Sequence, residues 1–246
     1  MSTPFAVCMK HGGVTTWPFV RNMLEFAFPP LCLGCDELVP GNTAVCSNCL
    51  RRIDYYSQPL CLKCLELLDQ QGNCLSCGKG ACPLFVLAQY ESPVREIIHK
   101  LKFSAITTPA EVLARQWCER FGQALLRRQP LVIAPVPLTA SRAYWRGYNQ
   151  AELIAEQIAG QLDLTLHGRL LVRTRGRHPQ SRLKLAERAA NVAGVYALAD
   201  EPREDNRRVV LVDDVVTSGS TIREAARTCE AGGFEVVAGV AMAHGR

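Results

Sequence analysis

The sequence predicts an α/β protein, an open parallel sheet covered by helices and preceded by a small N-terminal cysteine-rich zinc-binding domain. Three observations predict it. Four C-x-x-C units fall between Cys32 and Cys77. From about residue 84 strand and helix patterns alternate. Near the C-terminus, "RRVVLVDD", "STIREAARTCEAGG" and "EVVAGVAMA" read as strand, helix and strand, a right-handed βαβ unit.

The cysteine units are "CLGC" (Cys32, Cys35), "CSNC" (Cys46, Cys49), "CLKC" (Cys61, Cys64) and "CLSC" (Cys74, Cys77). A C-x-x-C turn brings two thiolates to one Zn²⁺, and two such knuckles complete a closed tetrahedral site. Ten residues separate the first two knuckles and nine the last two, which suits zinc ribbons. Eight cysteines therefore predict two structural zinc ions, with sequential and interleaved pairing of the knuckles both open. The segment is rich in loops and glycine, so metal must substitute for a core it cannot build. Cys8, Cys82, Cys118 and Cys229 fall outside the pattern.

The 246 residues are 48% apolar, enough for a core and too many for a disordered chain. A net charge of +5 permits an anionic ligand or nucleic acid without demanding either. The first thirty residues show no long apolar run with a small-residue cleavage site, and no stretch approaches the roughly 18 apolar residues of a membrane span. The expectation is a soluble cytoplasmic protein with no membrane insertion, whose paired cysteines bind metal rather than form disulfides. The expected organisation is an unassigned segment at 1–28, a double zinc ribbon at 29–83 and the sheet domain at 84–246.

In that domain "LFVLAQY" (Leu84 to Tyr90) reads as a strand. A helix begins near Pro93, with Val94, Ile97, Ile98 and Leu101 on one face. A second follows Pro109, with Val112, Leu113, Trp117, Phe121 and Leu125 at helical spacing. "LVIAPVP" is a short strand apolar on both faces and ended by proline. Asn149 is an N-cap with Glu152 three residues on, starting a helix whose inner face carries Ala151, Ile154, Ala155, Ile158 and Leu162. Ligands of such a sheet bind beyond the carboxyl ends of its strands.

That rule draws attention to "VVLVDDVVTSGST", Val209 to Thr221. Val209 to Val212 form the buried strand, so Asp213 and Asp214 emerge at its carboxyl edge. Thr217, Ser218, Gly219, Ser220 and Thr221 then lead into a helix. N–H groups at a helix N-terminus, a glycine allowing close approach and four hydroxyls make a cradle for a phosphate monoester. The two carboxylates can accept hydrogen bonds from a diol. Together they describe a sugar phosphate.

These thirteen residues resemble the type I phosphoribosyltransferase signature, whose hydroxyl- and glycine-rich loop binds the 5-phosphate of phosphoribosyl pyrophosphate. The wider series is similar to the ComF (also called GntX) family of competence and DNA-utilisation proteins. It comprises the knuckles, "HKLKF", "APVPLTASRAYWRGYNQAELIA", "RTRGRHPQSRLKLAERAANVAGVY" and the acidic signature, spanning roughly residues 29 to 243 in collinear order. The resemblance implies a type I phosphoribosyltransferase-like sheet and binding of phosphoribosyl pyrophosphate with Mg²⁺. Asp213 and Asp214 would be the catalytic pair at the ribose. The turn after "PVP" would be the pyrophosphate loop, offering Thr139, Ser141, Arg142 and Arg146, with arginine forks suited to phosphate oxygens.

Between Arg169 and Arg188 stand seven basic residues, Arg169, Arg173, Arg175, Arg177, Arg182, Lys184 and Arg188, against one acid, Glu187. Such density favours a neutralising anion. The resemblance makes this segment a mobile hood, with Arg173 and Arg188 as ligand-binding candidates. Two functions are expected from different classes. One is a transferase working in natural competence and the use of imported single-stranded DNA, with an acceptor the sequence does not identify. The other is a non-catalytic protein that binds or processes single-stranded DNA and uses the pocket as a sensor, with Tyr144, Trp145 and Tyr148 as stacking residues. A helicase-like protein of DNA uptake is an implied partner. A blander use of the zinc module is as an assembly surface.

Overall fold

The computed structural model describes residues 30–40, 43–103, 107–129, 131–138, 145–174, 194–203 and 207–245. Among them a six-stranded sheet has the order β1-β2-β8-β7-β3-β4, formed by β1 (Leu60–Cys61), β2 (Pro83–Gln89), β3 (Val132–Pro135), β4 (Thr165–Leu166), β7 (Arg208–Val216) and β8 (Glu235–His244). Five strands are parallel, and β1 pairs antiparallel with β2 at the edge. The expected open parallel sheet is thus extended by one short strand that comes from the cysteine-rich segment. β5 (Leu171–Arg173), inside the basic segment of the chain, and β6 (Tyr196–Leu198), beyond it, form a separate antiparallel ribbon.

The helices follow the apolar spacing. α1 (Ser47–Arg52) lies within the cysteine-rich segment. α2 (Val94–Phe103) buries Val94, Ile97, Ile98 and Leu101, and α3 (Thr108–Leu126) buries Leu113, Trp117 and Leu125. α4 (Gln150–Leu162) begins at Asn149, whose side-chain oxygen accepts the N–H of Ala151 at 3.2 Å, as the N-cap reading requires. α5 (Ser220–Ala231) ends at Gly232. Helices α2 to α4 pack with Val210 and Val212 on one side of the sheet, while α5 packs with Val209 and Leu211 on the other. Trp117 is fully buried and donates its indole N–H to the Phe85 carbonyl at 3.0 Å, so its one polar atom is satisfied.

The connection from β3 through α4 leads outward to β4, whereas that from β7 through α5 leads the opposite way to β8. The chain therefore diverges between β3 and β7, and the crevice at their carboxyl ends is where such sheets take ligands. β3 ends at Pro135 opposite Val212, but β7 does not end there. It continues to Val216 because the long β8 keeps pairing with it, as far as Val216 opposite His244. Asp213 and Asp214 thus stand within the strand's last part, with β8 on one side and no β3 residue opposite them on the other. No helix among the described residues is long and apolar enough to cross a membrane.

Candidate functional site

At the end of β7, four fully buried residues, Val209 to Val212, give way to two partly buried acids. Asp213 Oδ1 accepts the N–H of Asp214 at 2.8 Å, and Asp214 Oδ1 accepts that of Val215 at 2.7 Å. Asp214 Oδ2 lies 3.0 Å from Lys102 Nζ, a pair with side chains only 14% and 18% exposed. Burial, with the Asp214 charge added, pushes Asp213 up to about 8. In this acidic pair Asp214 takes the ammonium, while Asp213 is held towards its neutral form and gains most from an added positive charge. The pair's hard oxygen donors fit a divalent cation arriving with an anionic ligand.

Beyond Val216 the turn is closed by Gly219, buried at φ +70 and serving as N-cap of α5. A side chain there would be strained, and its Cβ would meet Arg223 Nη1 at 2.6 Å. Ser218 Oγ lies 3.0 Å from Ser220 Oγ and accepts the Ser220 N–H at 3.4 Å. The first N–H groups of α5 have no acceptor within the helix and point out of its positive end. Thr217 is exposed, while Ser218, Ser220 and Thr221 are half-buried.

Of the arginine candidates, Arg146 donates to Gln150 Oε1 at 2.8 Å and lies 5.3 Å over the ring of Phe103, the residue after Lys102. Arg173, on β5, donates to the Tyr196 hydroxyl at 3.3 Å and lies over that ring. Burial raises Tyr196 to about 12; the Arg173 charge opposes this and that of Asp213 adds to it. The end of α2 thus meets the acidic pair directly through Lys102, Arg146 packs beside that helix end, and Tyr196 lies near enough for the Asp213 charge to act on it. Arg142 and Arg188 lie outside the described residues, as do Thr139, Ser141, Tyr144, Arg175, Arg177, Arg182, Lys184 and Glu187. Sequence reasoning missed Lys102 and Tyr196. Lys102 follows the apolar face of α2 by one residue, and that position at a helix end facing the sheet was the available signal. A three-residue strand offers none for Tyr196.

The cysteines resolve into sequential sites: Cys32, Cys35, Cys46 and Cys49, then Cys61, Cys64, Cys74 and Cys77, with the four sulfurs of each within 4.8 Å of one another. A tetrahedron with Zn–S bonds of about 2.3 Å has edges of about 3.8 Å. Cys35 and Cys46 stand 3.9 Å apart and Cys64 and Cys74 3.3 Å. Burial opposes the Cys32 thiolate, yet N–H groups of Cys46, Gly34 and Cys35 bring it down to about 6. These clusters fit two structural zinc ions. Leu60 and Leu62 of the second ribbon are buried against the sheet, and the core around its cysteines holds a single large apolar residue, Leu68. Its burial gains about 1.5–3 kcal/mol, too little to order a ribbon at about 1–2 kcal/mol per residue, so metal supplies the difference.

Both ribbons grip the sheet domain. Gly34 lies so close to Pro93 that a Cβ would come within 2.8 Å of it, and Lys100 of α2 donates to the Cys32 carbonyl at 3.2 Å and pairs with Asp36. Ribbon two enters the sheet through β1, and Arg223 of α5 reaches the Lys63 carbonyl at 3.3 Å.

Comparison with known proteins matches residues 23–78 to the double zinc ribbon domain and residues 148–246 to the phosphoribosyl transferase domain. The chain is 30% identical over 221 residues to Competence protein F of Haemophilus influenzae, covering 88% of this chain and 91% of that protein. It is 33% identical over 211 residues to the DNA utilization protein YhgH of Escherichia coli K12, covering 81% and 90%. Competence protein ComFC of Bacillus subtilis is 23% identical over 218 residues, covering 80% and 87%.

Proposed function

The chain belongs to the ComF family of competence and DNA-utilisation proteins, and from that premise we propose that it binds phosphoribosyl pyrophosphate with Mg²⁺ and acts in the use of imported single-stranded DNA. The observation that carries the reading is the juxtaposition of the acidic pair with a glycine turn at φ +70, at the point where the sheet's connections diverge. The turn of Thr217, Ser218, Gly219, Ser220 and Thr221 takes the 5-phosphate through N–H and hydroxyl donors. Asp213 and Asp214 accept from the ribose hydroxyls, Asp214 exchanging Lys102 for its ligand. Arg146 and Arg173, with Arg142 and Arg188, take the pyrophosphate.

Mg²⁺ bound with the ligand supplies charge neutralisation to the departing pyrophosphate. The chain's own residues orient the sugar and hold its hydroxyls while a nitrogen nucleophile approaches C1 from the face left open. Calorimetric titration of phosphoribosyl pyrophosphate with Mg²⁺ tests the site, and pyrophosphate release against a panel of bases tests turnover.

A second reading is a non-catalytic sensor that handles single-stranded DNA. It is favoured by Trp145, 85% exposed beside Arg146, and by Phe103, 63% exposed. Stacking on such rings is worth about 1–3 kcal/mol per base. Pocket binding without turnover, together with DNA affinity that falls steeply with salt, supports this reading over the transferase.

A further inference from the structure

Arg223 stands in the first turn of α5, one side of the phosphate turn, and reaches two carbonyls at once. Its Nη2 donates to the Ser218 carbonyl at 2.6 Å and its Nη1 to the Lys63 carbonyl at 3.3 Å. Ser218 belongs to the turn. Lys63 lies between Cys61 and Cys64, so its carbonyl is placed by a knuckle whose two cysteines belong to the second zinc site. Leu65, the residue after that knuckle, comes from the same side: its Cδ1 lies 3.3 Å from where a Cβ on Gly219 would be. The ribbon therefore touches the turn through one charged fork and one apolar contact.

A planar guanidinium suits this task, because a fork fixes the direction between its two acceptors where a lysine would reach one at a time. The turn has need of it. Gly219 gives the turn its shape and brings the largest backbone entropy cost of any residue, and a cradle works only while its N–H groups stay converged. We propose that Arg223 is a positioning residue through which the second zinc knuckle holds the phosphate turn, so that zinc at Cys61, Cys64, Cys74 and Cys77 sets the turn's affinity for a phosphate monoester. The first zinc site, packed on α2, has no part in this. The affinity side of the inference rests on the phosphoribosyl pyrophosphate reading, whereas the ordering of the turn does not.

The test uses the full-length zinc-loaded chain and the variants Arg223→Gln, Arg223→Lys, Cys64→Ser, Cys46→Ser and Cys64→Ser/Arg223→Gln. Three quantities are read: zinc per chain, amide hydrogen exchange over residues 217–221, and the Kd of phosphoribosyl pyrophosphate with Mg²⁺. Arg223→Gln keeps both zinc ions, speeds exchange in the turn roughly tenfold and weakens the ligand roughly tenfold, as expected for losing hydrogen bonds from a charged donor. Arg223→Lys recovers part of both. Cys64→Ser loses one zinc and loosens the turn equally, and Arg223→Gln adds nothing further to it. Cys46→Ser also loses one zinc but leaves exchange in the turn as in the wild type. Unchanged exchange in Arg223→Gln, or equal loosening by the two cysteine variants, overturns the inference. Should the wild type bind no phosphoribosyl pyrophosphate, the ligand reading fails while the exchange comparison still decides the role of Arg223.

Discussion

Lys102 Nζ and Asp214 Oδ2 form a 3.0 Å ion pair, largely shielded from water, that ties the last turn of α2 to the end of β7. Removing only the ammonium leaves a shielded carboxylate unpaired, so Lys102→Met is expected to destabilise the chain by about 1–3 kcal/mol. Adding Asp214→Asn removes the stranded charge, and the double variant recovers most of the loss. A urea-denaturation cycle over the four proteins checks this through its coupling energy.

Asp213 gives the protein a pH signature. Burial and the Asp214 charge raise it to about 8 in the folded chain, whereas an unfolded aspartate titrates at about 4. Between those values the folded state binds a proton that the unfolded state has released, so this group's contribution makes stability fall as pH rises from about 4 towards 8, then level off. Asp213→Asn is expected to remove that slope, read from urea midpoints at pH 5, 6, 7 and 8.

Gly219 offers a sharp test of the turn. At φ +70, with Arg223 Nη1 2.6 Å from a prospective Cβ, Gly219→Ala carries backbone strain of about 1–2 kcal/mol and displaces the guanidinium. Phosphoribosyl pyrophosphate is expected to bind at least tenfold more weakly, while zinc content stays at the wild-type value. Calorimetry and metal analysis on the same sample read both.

The zinc sites predict stoichiometry and dependence. Metal analysis is expected to return two zinc ions per chain, falling to one in Cys35→Ser and in Cys77→Ser. Chelation is expected to expose the eight ligand thiols to a thiol reagent and to lower the melting temperature, because the second ribbon has almost no core of its own and the first adds Leu33, Val39, Val45 and Ile53 to the main core in an arrangement its cysteines hold.

What could be read from the sequence was whatever repeats or follows a period. The knuckles, the apolar faces of α2, α3 and α4, the Asn149 cap and the βαβ unit at the C-terminus all express local rules. The structure carries each of them. The sequential pairing of cysteines was open because knuckle spacing is the same in either arrangement, and only the fold chooses. The length of β7 was misjudged for a related reason. Two acids look like the end of a strand, yet β8 supplies pairing through Val216 whatever the side chains are. Tyr196 was invisible because long-range packing brings it towards Asp213, and Lys102 showed only its place at the end of α2, since its pairing with Asp214 is long-range too. The same holds for Arg223, an ordinary helix residue until Lys63 is seen beside it.

The proposed ligand site is the acidic pair and the turn that follows it. Its most direct test is a calorimetric titration of phosphoribosyl pyrophosphate with Mg²⁺ into the wild-type chain and into Asp213→Asn/Asp214→Asn. One saturable site is expected in the wild type and a loss of affinity of at least a hundredfold in the variant, as befits two acceptors removed from one ligand. No binding to the wild type, or equal binding to both proteins, would contradict it.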